Sequence, residues 1–210
     1  MPTTITRIQK TRLGRFSLYG EEGFLFSLDS ETYFSCGVEE GDTLTDNDLA
    51  ALREKSDARK AKDKALQYLS LRLYGERELY DKLCLKFDGP TSAAAVAEMV
   101  RLELLDDARF AAQKAAWLKT RHKSRREAQR QLAEKGVDRN LIDEALDEVY
   151  GDGDEREEID RLIRRSYAAK LENGKRDAVY AALSPRGFPP RTVREALNDW
   201  ADAQQDGWDE

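Results

Sequence analysis

Lys114, Lys119, Arg121, Lys123, Arg125, Arg126 and Arg130 crowd the middle of this chain, with Glu127 the one opposing charge among them and His122 in their midst. Side chains of this type recognise anions. The arginine fork pairs bidentately with phosphate or carboxylate, so the run suits DNA phosphates or the acidic surface of a protein. A solvated helix face with a basic inter-helix loop is the alternative reading. Arg161, Arg164 and Arg165 follow at i, i+3, i+4 spacing, which places them on one face of a helix. The candidate partner contacts are therefore Lys119, Arg121, Lys123, Arg125, Arg126, Arg130, Arg161, Arg164 and Arg165.

No reactive constellation accompanies them. His122 is the single histidine and has no partner set for nucleophilic catalysis or zinc. Asp106 and Asp107 are adjacent, so they point in different directions, and they read as helix N-caps rather than paired acids. Asp152-Gly153-Asp154 opens like a calcium loop, but its twelfth position is Ile163, not a glutamate. Cys36 and Cys84 form no CxxC and read as buried or idle thiols of a reducing compartment. Neither a Walker-type phosphate loop nor a GxGxxG is present. We expect no catalytic residues, no cofactor and no metal, hence a protein that is not an enzyme. No apolar run approaches the roughly 20 residues that span a bilayer, and MPTTITRIQK lacks a signal-like apolar core. The expectation is a soluble, cytoplasmic protein without a membrane partner.

The elements that position these cations read as helices. Charged residues make up 36% of the 210 residues and aromatics 9%, which fits a solvated helical surface better than a β-sandwich. Net charge is −6, but residues 108–149 hold 10 Lys and Arg against 7 Asp and Glu, and residues 150–210 hold 10 against 14. The acidic total argues against bulk non-specific DNA binding and leaves room for one basic face.

A period of about 50 residues runs through the helical part. Leu132, Gly136, Val137, Ile142 and Leu146 recur 51 positions later as Leu183, Gly187, Phe188, Val193 and Leu197. Leu83, Val96 and Val100 take the matching places upstream. Gly136 and Gly187 suit the left-handed residue that closes a helix, and Asp138 or Pro189-Pro190 then opens the next. Trp117, Tyr150, Tyr167, Tyr180 and Trp200 sit among aliphatics at helical spacing and are expected in the core.

Residues 4–38 differ. Phe24, Phe26 and Leu28 alternate with Leu25, Ser27 and Asp29, the period of a half-buried strand. Tyr19 to Gly23 reads as a hairpin turn. The expected architecture is mainly α: three tandem three-helix repeats in a curved elongated array, preceded by a small N-terminal antiparallel β element. Its divisions are a β-rich element at 1–44, a charged linking helix at 45–61, and repeats at 62–105, 106–150 and 155–200. An acidic linker falls at 151–154 and a frayed tail at 201–210. The linking helix either continues into the helix starting near Asp63 or bends before it.

With these motifs in place, the chain resembles the RecX family of bacterial regulators of the RecA recombinase. The resemblance is carried by LLDDARFA (Leu104 to Ala111), YLSLR and ERELYDKL (Tyr68 to Leu83), and EKGV with IDEAL (Glu134 to Leu146). ITRIQ and FLFSLD look like an N-terminal extension that some members carry. The family commonly has glycine where this chain has Glu103, and frequently has one near His122. The resemblance implies a protein that binds the RecA–DNA filament in its helical groove and there limits filament growth, strand exchange and coprotease activity. We expect a monomer, with single- or double-stranded DNA at most a weak further partner. A helical-repeat protein that binds DNA directly is the alternative.

Overall fold

The computed structural model describes residues 2–151 and 155–206. The acidic stretch 152–154, with its calcium-loop-like start, and the end of the tail beyond 206 lie outside the described residues. The chain divides between Leu105 and Asp106 into two compact units.

The first unit begins with short strands: β1 (Thr3–Thr4), β2 (Arg7–Lys10), β3 (Phe16–Gly20) and β4 (Gly23–Leu28). β2, β3 and β4 form an antiparallel sheet in that order. The expected turn closes the β3–β4 hairpin, with Gly20 paired to Gly23. Gly23 has φ +116°, which an L side chain rarely adopts. Helix α1 (Ser30–Cys36) starts on Asp29, whose side chain accepts from the Thr32 N–H. β5 (Thr43–Leu44) then pairs with β1. So small a sheet gains its stability from a buried apolar face packed against a helix. Its inner face buries Ile5, Leu18 and Leu28 against Val38 and the partly buried Leu49 and Leu52 of the next helix.

That helix, α2 (Asp46–Leu69), opens with a capping box in which Thr45 and Asp48 satisfy each other's backbone N–H groups. It runs unbroken past residue 61, so the charged linking segment and the first helix of repeat 1 are one element. Neither Gly nor Pro interrupts it, and Ala61 and Ala65 turn fully inward. α3 (Glu76–Cys84) and α4 (Gly89–Arg101) complete the repeat. The buried stripe of α4 is Ser92, Ala95, Val96 and Met99, the i, i+3, i+4, i+7 pattern. Val100 was expected inside. It lies at the rim of that stripe, 38% exposed, and Met99 fills the core instead.

The second unit holds the other two repeats. α5 (Asp107–Thr120), α6 (Arg125–Glu134) and α7 (Arg139–Tyr150) form repeat 2. Asp106 caps α5 by accepting from the Arg109 N–H at 2.9 Å, and Asp138 caps α7. Repeat 3 opens with α8 (Glu155–Leu162), a π-helical turn at Ile163–Tyr167 and α9 (Ala168–Glu172). It continues through α10 (Arg176–Leu183), a 3₁₀ turn at Ser184–Arg186 and α11 (Pro190–Asp206). The apolar positions matched by the 51-residue shift are all interior: Leu132, Val137, Ile142 and Leu146 are buried, as are Leu183, Phe188, Val193 and Leu197. Gly136 and Gly187 both take positive φ, +77° and +86°.

The chain is thus mainly helical, in three-helix repeats behind a small antiparallel β element. Among the described residues, no helix is long and apolar enough to cross a membrane.

Candidate partner-binding surface

The basic run straddles the loop between α5 and α6, and that loop is pinned to repeat 3. Ser124 caps α6 through the Glu127 N–H, and its own N–H donates to the Arg186 carbonyl at 2.8 Å. Lys123 Nζ donates to the Pro185 carbonyl. His122 Nδ1 lies 2.8 Å from Glu158 Oε1. Arg186 reaches back, with its guanidinium donating to the Arg121 carbonyl at 3.5 Å and to the Tyr167 hydroxyl at 3.3 Å. Gly187 completes the joint. A Cβ there would stand 2.5 Å from Glu127 Cβ and 2.8 Å from Ser124 Oγ, so glycine is required by contact as well as by φ.

A cleft of about 270 Å³ opens beside the joint. Lys119, His122, Lys123, Arg125 and Arg161 line it together with Glu155, Glu157 and Glu158, so its charge is mixed. Tyr150 also lines it. Burial pushes the Tyr150 phenol up to about 12, and its protonated hydroxyl donates to the Lys123 carbonyl at 3.2 Å.

Most of the nine candidate cations already have partners. Lys119 donates to the Val149 carbonyl, and Arg125 pairs with Asp147 on the facing helix. Arg161 pairs with Glu158 at 2.6 Å. Arg130 is clamped between Glu127 at 2.8 Å and Glu134. Its guanidinium holds the Glu127 carboxyl at about 2, well below the usual carboxylate range. Arg121 lays its guanidinium over the Trp117 ring, 4.5 Å from the centroid. Arg126, Arg164 and Arg165 are exposed and make no ion pair with the described residues. The expected single face of Arg161, Arg164 and Arg165 is not a plain α-helical one. A π turn at Ile163–Tyr167 buries Ile163 and Tyr167 and leaves Arg164 and Arg165 exposed. With Glu157 and Asp160, these three arginines line an open groove of about 490 Å³.

Trp117 corrects a second expectation. It is 46% exposed, not in the core, and Lys114 Nζ also stands over its ring at 4.3 Å. The buried stripe of α5 is Phe110, Ala111, Ala115 and Leu118, which leaves Trp117 off the inner face. Lys114 and Arg121, at i−3 and i+4 around it, were the available signal. Arg186 gave none, because its role depends on the fold bringing repeat 3 against the α5–α6 loop.

Among the described residues, no group of three or more His, Cys, Asp and Glu side chains is placed to hold a metal ion. Cys36 and Cys84 are free thiols, the latter exposed. The arrangement can bind anions.

Two family models match the chain: "RecX, first three-helix domain" over residues 61–99 and "RecX, second three-helix domain" over residues 106–146. A regulatory protein RecX of Caldanaerobacter subterraneus subsp. tengcongensis is 26% identical over 196 residues, covering 92% of this chain and 98% of that protein. One from Staphylococcus aureus strain JH9 is 27% identical over 203 residues, covering 93% and 73%. A crystal structure of regulatory protein RecX superposes with TM-score 0.59 at 22% identity, over 94% of this chain and 99% of that one. The structure of RecX from Lactobacillus salivarius gives 0.54 at 23% identity, over 69% and 97%. At these identities the two structures speak for the fold.

Proposed function

This chain belongs to the RecX family, and from that premise we propose that it is a non-enzymatic negative regulator of the RecA recombinase. It binds the RecA–DNA filament and limits filament growth, strand exchange and coprotease activity. The mechanism is steric and electrostatic: helical repeats laid along the filament obstruct incoming duplex and hinder the motions of the protomers.

The observation that carries this reading is a set of exposed cations, Arg126, Arg164 and Arg165, that make no ion pair with the described residues. A partner carboxylate or phosphate can pair with them without breaking an existing bond. The tethered cations contribute differently. Exposed pairs such as Arg125–Asp147 are worth about 0.2–1 kcal/mol, so they can exchange partners at small cost. Lys123 and Arg186 hold the two repeats together instead.

The test is a titration of the protein into RecA-driven ATPase and strand-exchange reactions. Inhibition at stoichiometric amounts is expected. Arg126→Glu with Arg164→Glu and Arg165→Glu should weaken it by about tenfold or more, since like charges placed across an interface repel strongly. No inhibition by the unaltered protein would sink the proposal. Unchanged inhibition by the triple variant would move the contact elsewhere. Direct action on DNA would appear as tight binding without RecA, falling steeply with salt.

A further inference from the structure

We propose that the outer face of the N-terminal sheet is a stacking platform for single-stranded nucleic acid, a site separate from the cations of the repeats and independent of the regulatory reading above. The register of β2, β3 and β4 sets Arg7, Tyr19 and Phe24 opposite one another. Directly paired residues share one face of a sheet, so these three form a row across it. The Arg7 guanidinium lies 4.0 Å from the Tyr19 centroid. Phe24 meets Tyr19 edge-on, with centroids 5.7 Å apart and planes at 70°. Phe24 is 60% exposed, while Leu18 and Leu28 on the inner face are fully buried. Phe24, left largely in water beside the Arg7–Tyr19 pair, offers exposed ring surface on which a planar group can pack.

The neighbouring row is polar and uncharged. Ser17 and Ser27 hydroxyls are 2.9 Å apart, and Gln9 Oε1 accepts from the Tyr19 hydroxyl at 3.5 Å. The charges around the face have one sign on one side. From Pro2 to Gly20 the chain carries Arg7, Lys10, Arg12 and Arg15 and no carboxylate. Carboxylates return at Glu21 and Glu22 in the β3–β4 turn, and at Glu40, whose Oε1 accepts from the Ile8 N–H. The positive potential therefore runs from the aromatic row towards the β2–β3 hairpin, away from that turn. A ligand matched to this face needs planar rings at one end and negative charge along its length. Single-stranded nucleic acid has both, with bases free to stack on Phe24 and on the Arg7–Tyr19 pair and phosphates to meet Arg12 in the β2–β3 hairpin, whereas Lys10 lies over Phe16 on the inner face. Duplex keeps its bases stacked on one another and can use only the cations.

The experiment uses the full chain and a fluorescein-labelled oligothymidine, read by fluorescence anisotropy against a labelled duplex of equal length. Binding of the single strand and weaker binding of the duplex are expected. Phe24→Ala and Phe24→Leu should each weaken the single-strand complex about tenfold, because leucine keeps the bulk and loses the ring, and Phe24→Tyr should retain affinity. Arg12→Gln should lower the log–log salt slope by about 0.7, one phosphate contact. An unchanged thermal transition shows that the Phe24 variants fold. The Arg126, Arg164 and Arg165 reversal should leave oligothymidine binding intact, which separates this site from the regulatory surface. The proposal is overturned if oligothymidine does not bind, if duplex binds as tightly, or if the Phe24→Ala and Phe24→Leu variants bind like the parent.

Discussion

Repeats 2 and 3 share an interior and differ on their surfaces. Leucine stands at 132 and 183, both fully buried, and the remaining core positions follow at the same shift of 51. One surface contact also recurs in place. Arg125 at the start of α6 reaches Asp147 on α7, and Arg176 at the start of α10 reaches Asn198 on α11. The geometry repeats while the charge does not. Around Arg130 even the geometry is lost: Glu127, Arg130 and Glu134 correspond by the shift to Ala178, Ala181 and Pro185. A run of cations in sequence is therefore not a run of available charge. Availability depends on which carboxylates the facing helices supply, and that differs between two copies of one folding pattern.

If the interiors are equivalent, removing the same core side chain from either should hurt equally. Leu132→Ala and Leu183→Ala should each destabilise the protein by about 3 kcal/mol, within the range for fully buried leucines. Urea denaturation followed by circular dichroism measures this. A large difference between the two would show that the cores relax differently despite their shared pattern.

The joint between the repeats is the next target. Gly187→Ala combines a left-handed backbone with a Cβ driven into Glu127 and Ser124, and should cost about 2–3 kcal/mol. Gly174→Ala, also at positive φ but with open space around its Cβ, should cost only about 1 kcal/mol. Equal losses would mean that the loop–repeat contact at Gly187 yields freely.

Much of this architecture was legible because interior positions obey local rules. The 51-residue shift, the closing glycines at 136 and 187 and the caps at Asp106 and Asp138 are each dictated by helix periodicity or by unsatisfied terminal N–H groups. Two departures from the family pattern also acquire a meaning. Glu103 and His122 are the non-glycine residues of positive φ among those described, +56° and +54°, at or beside the places where the resemblance leads us to expect glycine. What could not be read depends on contacts between distant segments. The pairing of Arg125 with Asp147, the reach of Arg186 to Tyr167 and the exposure of Trp117 follow from helix packing, not from spacing. Nor did the i, i+3, i+4 rule foresee the π turn at Ile163–Tyr167, although Arg161, Arg164 and Arg165 still line one groove.

The clamp on Arg130 gives repeat 2 an acid sensitivity that repeat 3 lacks at the matching positions. The Glu127 carboxyl falls from a usual value of 4.5 to about 2, chiefly through hydrogen bonds from Arg130. A carboxyl depressed on folding adds stability that is present above its unfolded value and lost as pH falls through its folded one. Stability should therefore drop between about pH 4.5 and 2, and Glu127→Gln should flatten that limb while lowering stability at neutral pH. Thermal melts across that range measure it. An unchanged slope in the variant would place the acid sensitivity on other carboxyls.

The smallest effect is the most direct test of whether charge distinguishes the two repeats. Asp147→Asn converts the repeat 2 contact into that of repeat 3, and Asn198→Asp does the reverse. The Arg125 side chain is 36% exposed and that of Asp147 72%, so solvent and salt screen the pair. Each substitution should shift stability by under about 1 kcal/mol, in opposite directions, and the shifts should shrink at high salt. The functional consequence should run the other way. Asp147→Asn weakens the hold on Arg125 and leaves it freer for an anionic partner, so inhibition of RecA should strengthen as stability falls slightly. Weaker inhibition in that variant would mean that the Arg125–Asp147 pair positions the surface instead of masking it.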